Sequence, residues 1–383
     1  MYKYDIIIIG GGITGLAFAC LLAQQSSLSI AVLEAKPHSA TQRVSAMALS
    51  SQKIFAALQV WKDIHKHASP FRAIDVWDAA GKGEIHFDSK EIAAAELGYI
   101  IENDVMHTAL LHKISQYPQI KIITPITLTS IQEQSDGIMF ISNDGREFKT
   151  KLAIAADGAN SWLRQQAQIP VKKKDYQQHA IVATVKTSLP HHAIARQVFL
   201  RDSILAHLPL QDAHTSSIVW SLPQAEAMRL MEMTNETFAQ QLSSAFEYRL
   251  GDVENCGERQ MFPLFHQQAE SYIKPHLALM GDAAHTVHPL AGQGLNMGLQ
   301  DAMSLADVII KAVQSRRDFS SHATLRAYER WRKAENSLMS TTIDLLKTIF
   351  ASDKKTIHGI RSFGLNAVDR VKVLKSFFIS RAV

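Results

Sequence analysis

Two cysteines in 383 residues, Cys20 and Cys256, are too few for a disulfide framework. They also stand in no metal or redox spacing, so the chain suits a reducing compartment. No apolar run approaches 18 residues, which leaves no candidate for a membrane-spanning helix. Residues 6–9 are apolar and follow Lys3, but glycines 10–12 and the lack of a small-residue cleavage site disfavour a signal peptide. With 18 Gly and 11 Pro there is neither a low-complexity linker nor an internal repeat. A net charge of +4 is too small to point to nucleic acid. His191-His192 and His285-x-x-His288 have no Glu or Cys nearby to complete a metal site, and none is expected. No Ser/His/Asp arrangement for nucleophilic catalysis is visible. These absences leave a cytoplasmic globular protein of ordinary composition, 46% hydrophobic and 20% charged. Its length allows two or three domains, or one large discontinuous one.

What is present begins at the N-terminus. The β-branched run 4–9 reads as a parallel strand buried on both faces. Gly10-x-Gly12-x-x-Gly15 follows it directly, then a helical pattern over 16–25 and a second strand over 29–33 ending at Glu34. In such a unit Gly10 makes the tight turn, Gly12 admits a pyrophosphate and Gly15 lets helix and strand approach. Glu34 can accept hydrogen bonds from adenosine ribose hydroxyls and would repel a 2′-phosphate, so FAD or NAD is expected rather than NADP.

At the far end, the stretch 281–301 reads GDAAHTVHPLAGQGLNMGLQD after an apolar strand over 277–280. Gly281-Asp282 ends that strand, a Pro/Gly loop spans 289–294, and a helix pattern starts at Leu295. Gly292, Gly294 and Gly298 are read as letting a flat, bulky ligand lie against the backbone. A helix N-terminus aimed at that ligand supplies unpaired N–H groups and partial positive charge. A planar, polar-edged group that becomes anionic in use, such as a reduced flavin ring, fits.

Between these ends the signals are weaker. Arg43 is either a solvated surface charge or a partner of the pyrophosphate or flavin edge. Asn103 either touches the flavin ribityl chain or caps the helix expected from 104 to 116. Residues 71–88 read as two strands around Gly81-Lys82-Gly83, and 137–151 as a hairpin turning at Asn143-Asp144-Gly145. A buried strand over 152–156 closes on Asp157-Gly158, followed by Ser161 and Arg164, and repeats the strand-end carboxylate of Gly281-Asp282. Residues 172–259 alternate strand-like runs with one helical run near 236–249, suggesting an antiparallel sheet over the flavin face. The tail 353–383 holds seven Lys/Arg against Asp353 and Asp369, a local charge of 7 − 2 = +5, with apolar residues at roughly helical spacing. Such a segment lies on an anionic membrane, on a partner or on its own core.

Taken together, Gly10/Gly12/Gly15 with Glu34, Asp157-Gly158, Gly281-Asp282-Ala283-Ala284-His285 and His288-Pro289-Leu290-Ala291-Gly292-Gln293-Gly294-x-Asn296 resemble the class A flavoprotein monooxygenases. The last motif and residues 97–103 resemble, more narrowly, the ubiquinone-biosynthesis hydroxylases. The resemblance implies an α/β fold. A Rossmann-like FAD-binding domain of the glutathione-reductase and para-hydroxybenzoate-hydroxylase type would be interrupted by a mainly antiparallel substrate sheet and followed by C-terminal helices. The boundaries expected are 1–70, 98–171 and 260–325 for FAD, 71–97 and 172–259 for substrate, and 326–383 for the helical end. It also implies NAD(P)H- and O₂-dependent hydroxylation of a polyprenylated phenol through a flavin C4a-hydroperoxide, with NAD(P)H a transient co-substrate. By motif match, Gly10, Gly12, Gly15 and Glu34 hold the ADP half and Asp282 the ribityl hydroxyls. Asp157 and Gly158 lie between pyrophosphate and nicotinamide. Pro289, Gly292, Gln293, Gly294, Leu295 and Asn296 sit at the isoalloxazine, where the chemistry occurs. A small soluble phenol as substrate, a prenyl reductase on the same fold, and a flavin-bound scaffold of a quinone-synthesis complex stay open. So do a homo-oligomer and peripheral contact with the inner membrane surface.

Overall fold

The computed structural model describes residues 1–351, apart from 40, 42, 80, 82, 290 and 291. The basic tail 353–383 lies outside the described residues. Tyr2–Ile9 is the centre of an eight-stranded sheet and pairs in parallel with Ile30–Leu33 on one side and Glu147–Ala155 on the other. Ile120–Ile123 and Leu277–Leu279 extend the parallel array outward. Ile6, Ile7 and Ile8 are fully buried, each contributing on the order of 2 kcal/mol through area removed from water. That burial on both faces is why the run reads as continuous rather than alternating. The helix Ile13–Gln25 packs against Asn103–Ile114 and Gln293–Gln314, so the first and last motifs meet. Leu128–Gln134 and Gly137–Ser142 add an antiparallel flap to Glu147–Ala155.

A second sheet of nine strands is antiparallel except where Ile194–Phe199 runs parallel to Ala73–Asp78. The hairpin expected over 71–88 is present as Ala73–Asp78 and Glu84–Asp88 and forms one edge. One face of this sheet is covered by the helices Gln224–Met231 and Asn235–Ala245 around a core of its own, including Trp77, Ile181, Trp220 and Phe238. A three-stranded sheet of Val44–Ala48, Gly98–Glu102 and Ser69–Phe71 adjoins it. The helix His322–Ala351 closes the described chain, and none of the described helices is long and apolar enough to cross a membrane.

Three expectations need correction. The boundary at 260 would divide the large sheet, because Gln260–Ala269 pairs with Val171–Thr187 over most of its length. The helical run near 236–249 is preceded by another helix, Gln224–Met231, that the sequence reading left out. Asn103 is not a cap: it is the first residue of its helix, the cap position is Glu102, and no side chain caps that end.

Candidate flavin site

The strand Tyr2–Ile9 delivers the chain to Gly10 at a φ of +105°, and a Cβ there would lie 2.3 Å from the Ala156 carbonyl oxygen. A Cβ at Gly15 would lie 2.3 Å from the Gly10 carbonyl oxygen. These two positions have no room for a side chain, whereas a Cβ at Gly12 would meet open space. Gly12 begins its helix with no side-chain cap and no acid in the first turn. The Gly11 N–H donates to Glu34 Oε2 at 2.7 Å, fixing the carboxylate at the mouth of the turn. His107, which sequence reasoning missed, bonds the Gly11 carbonyl through Nε2 at 2.9 Å and stacks on His38 at 3.7 Å.

The Asp157-Gly158 turn lies beside this mouth. Asp157 Oδ2 accepts from the Leu163 N–H at 3.1 Å, while its buried Oδ1 has no hydrogen-bond partner. Burial raises its carboxyl above the usual range, against the opposing bonds from Ser161 and Leu163. Arg164 is buried and ties the two strand-end turns together. It donates to the Ala159 carbonyl at 2.9 Å and to the Ala283 carbonyl at 2.8 Å. The echo between Asp157-Gly158 and Gly281-Asp282 is therefore a physical junction.

Asp282 projects from the turn after Leu277–Leu279. Its side chain is open to solvent yet crowded by protein on its other sides, as on the wall of a cleft, and its carboxylate has no hydrogen-bond partner among the described residues. That crowding pushes the carboxyl up, against the pull of His285 and Arg43. Arg43 is exposed, stands 5.0 Å from the Phe262 ring centroid of the second sheet, and is close enough to Asp282 to draw its carboxyl down. Asn103 accepts from the Ser45 hydroxyl at 2.7 Å.

Gly292 caps the helix Gln293–Gln314 in the left-handed region at φ +61°, against Ala46, and its N–H donates to the Pro289 carbonyl at 3.1 Å. This second helix start also lacks a side-chain cap and an acid in its first turn. A Cβ at Gly294 would meet open space. Gln293 is buried and Leu295 packs on the main core. Asn296 spends its amide on backbone: Nδ2 donates to Ala46 O at 2.9 Å, and Oδ1 accepts from Ala48 N at 3.0 Å. Leu290 and Ala291 lie outside the described residues. Gly298 does not face a ligand, correcting the reading of three glycines in one role. A Cβ there would sit 2.8 Å from Thr14 Oγ1, so this glycine lets two helices cross closely.

The open face of the large sheet looks toward this loop. Val287 packs with Ile85, Phe199 and Ile204, and Tyr176 meets His288 edge-on at 5.2 Å. Across six neighbouring strands, Val76, Gln197, Ala206, Val219, Val182 and Gln260 stand opposite one another in a single row. All six are half-buried, although the flanking row Phe199, Ile204, Ser221 and Ala180 is buried. With a buried row along one side, we read this half-open row as the floor of a trough about 24 Å long by strand spacing. It carries no charged side chain. Pairing register, invisible in the sequence, creates it.

Comparisons with known proteins identify the family. The FAD binding domain family matches residues 3–339. Ubiquinone hydroxylase UbiL of Rhodospirillum rubrum is 32% identical over 99% of this chain and 89% of its own. The chain belongs to the ubiquinone-biosynthesis hydroxylase family of FAD-dependent monooxygenases. A second relative in that family, 3-demethoxyubiquinol 3-hydroxylase of Escherichia coli, is 32% identical over 97% of this chain and 96% of its own. The p-nitrophenol 4-monooxygenase PnpA of Pseudomonas putida shares the fold at a TM-score of 0.82 and 16% identity, covering 100% of this chain and 98% of that one. FAD is the cofactor of this family, and the residues fit it. Two uncapped helix starts can face its charged parts, Gly12 and Gly294 leave open approaches, and Asp282 offers an unengaged carboxylate.

Proposed function

We propose that this flavoprotein hydroxylates the aromatic ring of a polyprenylated phenol in ubiquinone biosynthesis, using NAD(P)H and O₂. The trough supports this reading: an uncharged floor about 24 Å long suits a ring with an extended apolar tail and exceeds what a small phenol needs.

When bound, FAD supplies hydride acceptance and oxygen activation. The protein's part is placement. Gly12 and its helix start receive the pyrophosphate, Glu34 the ribose, and Asp282 the ribityl hydroxyls. The N–H groups at the start of Gln293–Gln314 would favour negative charge on a ring bound there. The apolar clusters around the trough keep water from the reacting atoms. Asp157 would serve the pyrophosphate side from a turn held by the Leu163 N–H that its Oδ2 accepts.

The test is the quinone-lipid profile of a strain lacking the protein, by mass spectrometry. Accumulation of a prenylated intermediate short of one hydroxyl, restored by the wild-type gene but not by Asp282→Ala, is the expected outcome and identifies the ring carbon. An unchanged profile would sink the pathway assignment and favour free phenols. Peripheral membrane contact through the basic tail belongs to the same reading, and co-sedimentation with anionic vesicles before and after removal of residues 353–383 checks it.

A further inference from the structure

Behind the Asp282 turn lies a buried polar cluster that the flavin motifs do not account for. Asp301, fully buried, accepts four hydrogen bonds. Its Oδ2 takes the Gly281 N–H at 3.0 Å and His285 Nε2 at 2.5 Å; its Oδ1 takes Arg332 Nε at 2.7 Å and Asn336 Nδ2 at 3.1 Å. Arg332 Nη2 donates in turn to Asn336 Oδ1 at 2.8 Å. One oxygen thus grips both ends of the five-residue turn 281–285, and the other is held by the C-terminal helix. Burial opposes the charged carboxylate, but His285 and the Arg332 guanidinium outweigh it and hold Asp301 below the usual range. One turn earlier on the same helix, the Tyr328 hydroxyl donates to Leu279 O at 2.7 Å, on the strand leading into the turn. Further along, Met339 packs in the cluster containing Val287. A single stripe of the helix, Tyr328, Arg332, Asn336 and Met339, therefore lies along the segment that presents Asp282.

The geometry assigns Arg332 and Asn336 as positioning residues for the flavin site, acting through Asp301 on the turn that aims the Asp282 carboxylate. Neither side chain lines the cleft; both are buried. Without Arg332 Asp301 is a buried charge lacking its cation, and its grip on Gly281 and His285 must be rebuilt. The turn keeps its chain path but loses its fixed direction.

The test compares FAD affinity with stability in apo-protein. FAD is titrated by flavin fluorescence well below each variant's unfolding midpoint, in Arg332→Met, Arg332→Lys, Asn336→Leu and, as a control in the other core, Phe238→Ala. The expected result is a rise in Kd of tenfold or more for Arg332→Met, a smaller rise for Asn336→Leu, and partial recovery with lysine. Phe238→Ala lowers the midpoint and leaves Kd unchanged. If Arg332→Met does not fold, Asn336→Leu decides, since it removes only two hydrogen bonds. A Kd within twofold of wild type in the folded variants, whatever their midpoints, would overturn the proposal and leave the cluster a structural staple.

Discussion

Adding a methyl group at Gly12 and adding one at Gly15 should have opposite consequences, though both belong to one motif. At Gly15 the new atom would lie 2.3 Å from a backbone oxygen, so Gly15→Ala is expected to cost about 1–3 kcal/mol and to lower the apo-protein midpoint by several degrees. At Gly12 it would project into open space, so Gly12→Ala should leave that midpoint unchanged and weaken FAD at least tenfold. Calorimetry and a flavin titration separate the two; unaltered FAD affinity in Gly12→Ala would place the pyrophosphate elsewhere. Asp282→Ala is expected to purify without flavin and with a near-native midpoint, because no described residue bonds that carboxylate. Flavin retained at full occupancy would refute the ribityl role. These residues were legible because each motif is local: strand, glycine and carboxylate follow within a few positions. Asn296 was legible as important but not in its role, since its bonds to Ala46 and Ala48 span some 250 positions.

Among the elements, the strand Ile204–Pro209 carries an unusual residue, His207. It is buried, both ring nitrogens lack hydrogen-bond partners, and its ring lies 4.0 Å from that of Phe246. Burial, reinforced by Arg196, depresses it from 6.5 to about 3. The unfolded chain binds this proton below pH 6.5, and the folded one does not until about pH 3. Stability from this group is therefore complete above pH 6.5 and drains away as pH falls toward 3. His207→Leu should raise the unfolding midpoint, and more at pH 5 than at pH 7; parallel pH profiles for variant and wild type would contradict this. In the trough, Val219→Trp should raise KM for a long-tailed phenol at least tenfold and spare a tailless analogue, and equal effects on both would remove the tail from this floor. Neither feature could be read beforehand. Alternation indicates which residues share a face, but only pairing register brings Gln197, Ala206, Val219 and Val182 into line.

For the molecule as a whole, the strands of the parallel sheet were the most readable part, though not the order in which they pair. Short apolar runs ending in Gly or Asp announce buried parallel strands, and Ile6–Ile9, Ala153–Ala155 and Leu277–Leu279 are of this kind. The division into halves was less readable, because Val171–Thr187 is a 17-residue strand serving the large sheet along its length while Gln260–Ala269 returns to pair with it. The Asp301 cluster left no trace, since Arg332 lies 31 positions away and a charged pair has no spacing signature. The order of the central sheet also bears on how the protein is made. Tyr2–Ile9 leaves the ribosome well before its neighbour Glu147–Ala155 and that strand's partner Leu277–Leu279. At roughly 10 residues per second, the first strand waits about half a minute for Leu277–Leu279. The residues of the glycine turn are thus made long before any of those that would hold the ring. Flavin loading becomes an event of the last moments of synthesis, or of the finished polypeptide.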